Sequence, residues 1–477
     1  MPQTTEFYIN GAWVAPSAAR DFPVIDPSTE EVCATISLGG EADTDAAVAA
    51  AKAAFPGWAA TPPETRIAAV ERLFEIYSAR LDDMAAAISQ EMGAPIDLAR
   101  SSQATAGTWH MEGFLRAAKA FDWEHPLGDW APGERIIHEP IGVCALITPW
   151  NWPMNQVVLK VVPALLAGCT MVLKPSEIAP LSSLLFAEIV DAAGLPPGVF
   201  NLVNGDGEGV GSQLSAHPDV DMVSFTGSTR AGRLISKAAA DTIKRVSLEL
   251  GGKGANIIFA DAPEKAVKQG VIRCFNNTGQ SCNAPTRMLV ERSRYDAAVE
   301  HAAEVAKGVT VGHSDEHGRH IGPAVSEVQF DKIQALIQSG IDEGARLLVG
   351  GTGRPGHLNR GYFIRPTVFA DVTPDMTIYR EEIFGPVLSI LPFEDEEHAI
   401  AIANDTEYGL TNYIQTGDPE RLRRVARRLR SGMVEGNGKG FAQGSPFGGF
   451  KQSGNGREGG TFGLHEFLEV KAVSGWD

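Results

Sequence analysis

VCALIT (143–148), TMVLK (170–174), VFNLV (199–203) and DMVSFTG (221–227) are the stretches that decide the fold. Each is a short apolar run, and helical stretches such as 180–193 and 230–240 separate them. Strands alternating with helices in this way predict a parallel sheet covered by helices, the usual frame for a nucleotide cofactor. Downstream, ANIIFAD (255–261), RMLVER (287–292) and RLLVGG (346–351) continue the pattern, with helical apolar spacing at 295–307 and 326–344, so a second α/β unit is expected. Residues 122–139 lack a helical pattern and hold Pro126, Gly128, Pro132 and Gly133; they read as an excursion of hairpin form.

The chain has 477 residues. Single hydrophobic cores stop growing at roughly 250–300 residues, so at least two domains are expected. With 44% hydrophobic and 21% charged residues, the composition is that of a globular protein. A net charge of −18 opposes binding to nucleic acid or anionic lipid, and no Lys/Arg stripe overrides it. Cys33, Cys144, Cys169, Cys274 and Cys282 are odd in number and form no C-x-x-C pair, which fits a reducing cytoplasm. The first residues, MPQTTEFYINGAWV, lack the basic and apolar regions of an export signal. Lys160 and Pro163 interrupt the longest apolar stretch, 157–168, so no membrane span is expected.

Several loops carry candidate chemistry. In NNTGQSCNAPTR (276–287) a cysteine sits among polar residues, whereas buried structural cysteines keep apolar neighbours. Cys282 is therefore a candidate nucleophile, although a cysteine in a polar loop is more often inert. In SLELGGK (247–253) Glu249 lies in an apolar, β-prone run; burial would raise its pKa and suit it to general-base work, while the bland alternative is a glutamate on a solvent face. ITPWNWP (147–153) holds Asn151 at the end of a strand, where a rigid side-chain amide can donate to an oxyanion or simply form a turn.

For a cofactor, KPSE (174–177) follows a strand and places Glu177 where a doubly wound sheet holds ribose hydroxyls. FTGSTRAG (225–232) puts Gly227 and Gly232 at a strand-to-helix turn suited to pyrophosphate. A G-x-G-x-x-G match at Gly454, Gly456 and Gly459 follows no strand and reads as coincidence. His313, His317 and His320 in HSDEHGRH lack the supporting context of a metal site and read as a solvated loop.

Taken together, ITPWNWP, KPSE, FTGSTRAG, LELGGK, GQSC, EEIFGP (381–386) and PFGGFKQSGNGRE (446–458) resemble the aldehyde dehydrogenase superfamily, and the resemblance runs from YINGAWV (8–14) to LEVKAV (468–473). It implies an α/β protein with a Rossmann-like cofactor domain (1–121 and 140–249), a second α/β catalytic domain (250–450) and a small β bridging element (122–139 and 451–477). In the family this element pairs with another subunit, so a homodimer or homotetramer is expected. The implied reaction oxidises an aldehyde to a carboxylic acid with NAD(P)+ and water: Cys282 forms a hemithioacetal and then a thioester, Asn151 holds the oxyanion, Glu249 activates water, and Lys160 and Glu458 relay protons.

The cofactor set implied by the resemblance is Thr148, Pro149, Trp150, Lys174, Ser176, Glu177, Phe225, Thr226, Gly227, Ser228, Gly232, Leu250, Gly251, Glu382 and Phe384. Glu177 favours NAD, while Lys174 and Ser176 leave NADP open. Trp152, Leu159, Ser281, Asn283 and Phe441 match tunnel positions. Their mixed character points to an uncharged or weakly polar aldehyde, and Leu159 weakens any aromatic cage for a quaternary ammonium. A CoA-acylating relative usually lacks the glutamate that Glu249 supplies. A catalytically silent relative could lose Cys282, Asn151 or Glu249, all present here. A phosphorylating cysteine enzyme would need a histidine partner, and none lies near Cys282 in sequence.

Overall fold

The computed structural model describes residues 4–476. The four stretches that open the sequence reading become the strands Val143–Ile147, Thr170–Lys174, Phe200–Leu202 and Met222–Thr226. With Arg245–Glu249 they form a parallel sheet, to which the hairpin Phe7–Ile9 and Ala12–Val14 adds in antiparallel sense at the far edge. Helices on both faces leave the central strands buried along their whole length, so they read as continuous apolar runs and do not alternate. Val143–Ile147 lies between Thr170–Lys174 and Met222–Thr226. The strand order reverses there, and in open α/β sheets the crevice at the carboxyl ends of strands at such a reversal is where ligands bind.

The interrupted apolar stretch lies within the helix Pro153–Ala167, nearly all of whose residues are buried. Pro153 starts it, where a missing N–H costs nothing, and Gly168 ends it in the left-handed conformation. Ala104–Lys119 packs against it, preceded by a π-helical turn at Ala99–Gln103.

The second sheet is ordered Arg346–Val349, Thr367–Ala370, Val387–Phe393, Arg287–Glu291, Ala255–Ile258, Thr411–Gln415 and Met433–Gly436, parallel except at its first pair. Candidate helices 295–307 and 326–344 are Tyr295–Lys307 and Glu327–Asp342. Residues 122–139 do form a hairpin, with strands Glu124–Pro126 and Glu134–Pro140, and Leu468–Ser474 joins it as a third strand. Just before that strand, Leu464 and Phe467 pack into the core of the first sheet's helical layer. The expected fold class is thus observed: a Rossmann-like sheet, a second α/β sheet and a small bridging sheet. Among the described residues, no helix is long and apolar enough to cross a membrane.

Candidate active site

Cys282 sits in the loop between the helix Ala266–Phe275 and the strand Arg287–Glu291, and Glu249 ends the strand Arg245–Glu249 of the other sheet. The carboxyl edge of the first sheet thereby faces the amino edge of the second. Between them lies a cavity of about 210 Å³ lined by Pro149, Trp150, Asn151, Thr226, Gly227, Ser228, Glu249, Leu250, Gly251, Cys282, Glu382 and Phe384. Three candidates drawn from loops far apart in sequence thus share one space.

The glycines after Glu249 permit this closeness. A Cβ on Gly252 would overlap the Cys282 carbonyl oxygen, and one on Gly251 would overlap the Glu382 carboxylate. Glu382 Oε1 accepts a hydrogen bond from Gly252 N at 2.7 Å, which fixes its carboxylate at the cavity wall.

Asn151 is buried and held by a network that the sequence did not disclose. Its Nδ2 donates to the Gln280 carbonyl at 3.1 Å. Its own carbonyl accepts from Asn277 Nδ2 at 3.0 Å and Gln103 Nε2 at 3.2 Å, and Gln103 Nε2 also reaches Asn277 Oδ1 at 3.0 Å. Asn277 and Thr278 both adopt left-handed backbone, with φ of 52° and 58°. That conformation is costly for a branched residue and persists only where surroundings hold it. One Nδ2 hydrogen of Asn151 remains for a ligand oxygen.

Glu249 is 2% exposed, so a solvent-face glutamate is ruled out. Among the described residues, neither of its carboxylate oxygens has a hydrogen-bond partner. Burial, and then the Glu458 carboxylate, hold its pKa well above the usual carboxylate range, with Lys160 and Arg457 pulling the other way. Lys160 Nζ pairs with Glu458 Oε1 at 2.6 Å and lies 3.2 Å from Ser224 Oγ. The apparent G-x-G-x-x-G serves this pair: Ser453 O, Gly454, Asn455 N and Gly456 N contact the strand that carries Glu249, and Glu458 follows. Gly459 caps the short helix Gly460–Glu466, but the motif follows the turn Lys451–Ser453 and not a strand.

Cys282 is half-buried, but its surroundings do not favour the thiolate. Burial pushes its pKa up, and Glu382, Glu249 and Glu458 add to the rise. The polar sequence around it therefore provides access rather than a low pKa, and the thiol must lose its proton to a base, a loss that an incoming positive charge would favour.

A second cavity of about 190 Å³ lies along the first sheet, lined by Ile147, Phe225, Leu234 and Ile235 with Gly211 and Ser212 opposite. Between the two cavities stands the N-terminus of Thr229–Ala239, where Ser228 Oγ caps Ala231 N at 3.3 Å. Lys174 Nζ is held by the Pro175 and Gly205 carbonyls and lies 3.5 Å from Glu177. Thr148 N bonds Lys174 O at 3.1 Å, and Gly232 N bonds Ser228 O at 3.0 Å. Ser176 is buried beside them. An apolar slot, a helix N-terminus, a half-buried acid and the buried Thr226 Oγ1, which has no partner among the described residues, together fit a dinucleotide. Gln329 and Lys332, absent from the sequence reading, complete the first cavity. Gln329 donates to the Phe384 carbonyl at 2.9 Å and so supports Phe384 at a φ of 58°.

Of the tunnel candidates, Trp152 Nε1 donates to Ser281 Oγ at 2.8 Å. Asn283 O accepts from Tyr413 Oη. Leu159 is buried in the helical core, and Phe441 stands 41% exposed on a loop. The three histidines are engaged locally: His317 with Asp97, His320 with the His313 carbonyl, and His313 against Phe363.

Comparison with known proteins agrees with this geometry. The sequence profile of the aldehyde dehydrogenase family matches residues 13–473. The chain is 55% identical to the 3-succinoylsemialdehyde-pyridine dehydrogenase of a Pseudomonas species, over 99% of this chain and 98% of that one. It superposes on an aldehyde dehydrogenase from Bartonella henselae with a TM-score of 0.99 and 61% identity, covering 99% of each. A mutant aldehyde dehydrogenase C from Pseudomonas syringae, complexed with NAD+ and octanal, matches with a TM-score of 0.98 and 49% identity over 100% of this chain and 98% of that one. The chain belongs to the aldehyde dehydrogenase family and is an NAD(P)-dependent oxidoreductase that converts an aldehyde to a carboxylic acid.

Proposed function

We propose that Cys282, Asn151 and Glu249 carry this reaction, and that the chain uses NAD+ to oxidise an uncharged aldehyde in the cytoplasm as a homodimer or homotetramer. The observation that supports the reading most is that these three side chains line one cavity of about 210 Å³. Cys282 Sγ gives its proton to solvent water and then attacks the carbonyl carbon. The remaining Asn151 Nδ2 hydrogen and the Cys282 backbone N–H receive the oxyanion, where one such donor is worth about 10²- to 10³-fold in rate. When bound, the nicotinamide supplies the hydride acceptor. Glu249 then takes a proton from water, the water oxygen bonds to the thioester carbon, and the Cys282 sulfur leaves with the electron pair. The Lys160–Glu458 pair behind Glu249 passes the proton onward.

Glu382, Phe384, Leu250 and Gly251 would hold the nicotinamide end of the cofactor, and Lys174, Ser176 and Glu177 would hold the adenosine ribose. A 2′-phosphate would meet the Glu177 carboxylate, so NAD is preferred over NADP. Relatives complexed with NAD+ support this choice.

The test measures NADH formation with propanal, octanal, 3-succinoylsemialdehyde-pyridine and betaine aldehyde, with and without CoA. CoA-independent turnover is expected to vanish in Cys282→Ala. In Glu249→Gln a single burst of NADH should remain, because only hydrolysis is lost. Activity untouched by Cys282→Ala, or turnover that requires CoA, would overturn the assignment.

A further inference from the structure

Cys282 and Asn283 are the two central residues of a β-turn, closed by a hydrogen bond from Ala284 N to Ser281 O at 3.0 Å. Three contacts hold this turn. Trp152 Nε1 donates to Ser281 Oγ at 2.8 Å, and the Cys282 carbonyl lies so close to Gly252 that a Cβ there would overlap it. The third comes from the strand Thr411–Gln415 of the second sheet, where Tyr413 Oη donates to the Asn283 carbonyl.

Tyr413 is itself braced. It is the register partner of Glu435 on the neighbouring parallel strand Met433–Gly436, so the two side chains leave the sheet on the same face. Arg273, from the helix Ala266–Phe275, joins them: its guanidinium stands 4.6 Å from the centroid of the Tyr413 ring, and its Nη1 donates to Glu435 Oε1. Glu435 is 1% exposed and its Oε2 has no partner among the described residues, so Arg273 is the counter-charge that lets a carboxylate sit there. Burial keeps the Tyr413 phenol protonated, and the cation over its ring, which favours loss of that proton, makes the hydroxyl a stronger donor. At Cys282, Glu382, Glu249 and Glu458 oppose the thiolate, while the Asn283 N–H favours it. Where that N–H points depends on the Asn283 backbone, whose carbonyl Tyr413 holds.

We propose that Tyr413, braced by the Arg273–Glu435 pair, is a positioning residue for the nucleophile: it fixes the Asn283 backbone so that its N–H faces Cys282 Sγ. This rests on the reading of Cys282 as nucleophile. The hydroxyl touches neither substrate nor cofactor and acts through the turn alone.

The experiment measures the rate at which iodoacetamide alkylates Cys282 at neutral pH without aldehyde or NAD+, read by mass spectrometry of the peptide that carries Cys282. The variants are Tyr413→Phe, the joint replacement of Arg273→Met and Glu435→Leu, which strands no buried charge, and all three changes together. An N–H aimed at a thiolate makes a charge-assisted bond, so losing its aim should slow alkylation about five-fold in Tyr413→Phe. The joint replacement should slow it about two-fold, and the three changes together should be no slower than Tyr413→Phe, because the pair acts through the hydroxyl. Loss of structure would move the rate the other way, since an unburied thiol ionises more readily. An unchanged or faster rate in Tyr413→Phe therefore overturns the proposal, and a combined variant slower than Tyr413→Phe overturns the part given to Arg273 and Glu435. Aldehyde turnover that survives complete alkylation of Cys282 would instead overturn the reading of Cys282 as nucleophile, so the two failures are distinguishable.

Discussion

Glu249 stands between opposing charges, a buried carboxylate with Glu458 on one side and the Lys160 ammonium on the other. As the proposed general base, Glu249 works deprotonated, so kcat is expected to fall as pH drops through its pKa, and burial places that limb above the ordinary carboxylate range. Removing the like charge with Glu458→Gln lowers the Glu249 pKa and moves the acid limb to lower pH. Removing the opposite charge with Lys160→Met raises it and moves the limb up. Either change strands a buried charge and costs about 3–5 kcal/mol of stability, visible as a lower Tm. The midpoint of the pH–kcat profile does not depend on the folded fraction, so it still reports the Glu249 pKa. Limbs that stay at the wild-type pH in both variants would detach Glu249 from its neighbours and sink the relay. Cys282 shows the complementary limit of sequence reading. Its polar neighbours mark it as a candidate nucleophile, yet the charges that raise its pKa are carboxylates of Glu382, Glu249 and Glu458, remote in sequence.

At the scale of elements, the π-helical turn Ala99–Gln103 carries the Gln103 amide to the Asn151 and Asn277 loops. Such turns recur at functional sites because the extra residue reorients a side chain that a regular helix would point elsewhere. Gln103→Leu leaves the Asn151 carbonyl and Asn277 Oδ1 short of a buried donor, at a cost of about 1–3 kcal/mol. Asn151, the proposed oxyanion donor, then loses its fixed place, so kcat is expected to drop about ten-fold. KM for NAD+ should stay within about two-fold of wild type, because Gln103 lines neither of the two proposed cofactor cavities. Steady-state kinetics with a thermal melt tests this, and an unchanged kcat in a destabilised variant would reduce Gln103 to a structural role. Nothing in ARSSQATAG announces this contact, since its partners lie 48 and 174 residues away. Regular elements were far more legible: the apolar spacing of 295–307 matched the helix Tyr295–Lys307 residue for residue. The helix Glu41–Ala59 was not, because alanine on every face blurs the contrast between core and solvent.

For the whole molecule, the alternation of apolar strands and helices predicted two sheets, and the reversal of strand order explains why the loops after Ile147 and Thr226 converge. What that alternation could not supply is the meeting of the two sheets, edge to edge, that brings Glu249 to Cys282; the ordered set of loop motifs supplied it. The bridging sheet raises a different question. Its order leaves Leu468–Ser474 as an outer strand with no further strand beyond it among the described residues and with Val470 64% exposed. Exposed edges of this kind invite another strand, and proteins that remain monomeric blunt them with bulges, prolines or inward charge. Residues 468–474 hold no proline, and their register with Glu134–Pro140 runs unbroken from Leu468 to Ser474. Pairing with a second copy would cover this edge, and closed symmetric assembly makes two or four chains the expected outcome. Light scattering on the wild type should therefore give the mass of two or four chains. Val470→Asp combined with Ala472→Asp places carboxylates on the edge strand, where they repel their symmetry mates and oppose β-pairing, and the mass should fall to one chain at the same concentration. The double variant should keep its helical circular dichroism, since both side chains already lie exposed in this structure. A wild type already at the mass of one chain, or a double variant whose mass does not change, would show that this edge is not the interface.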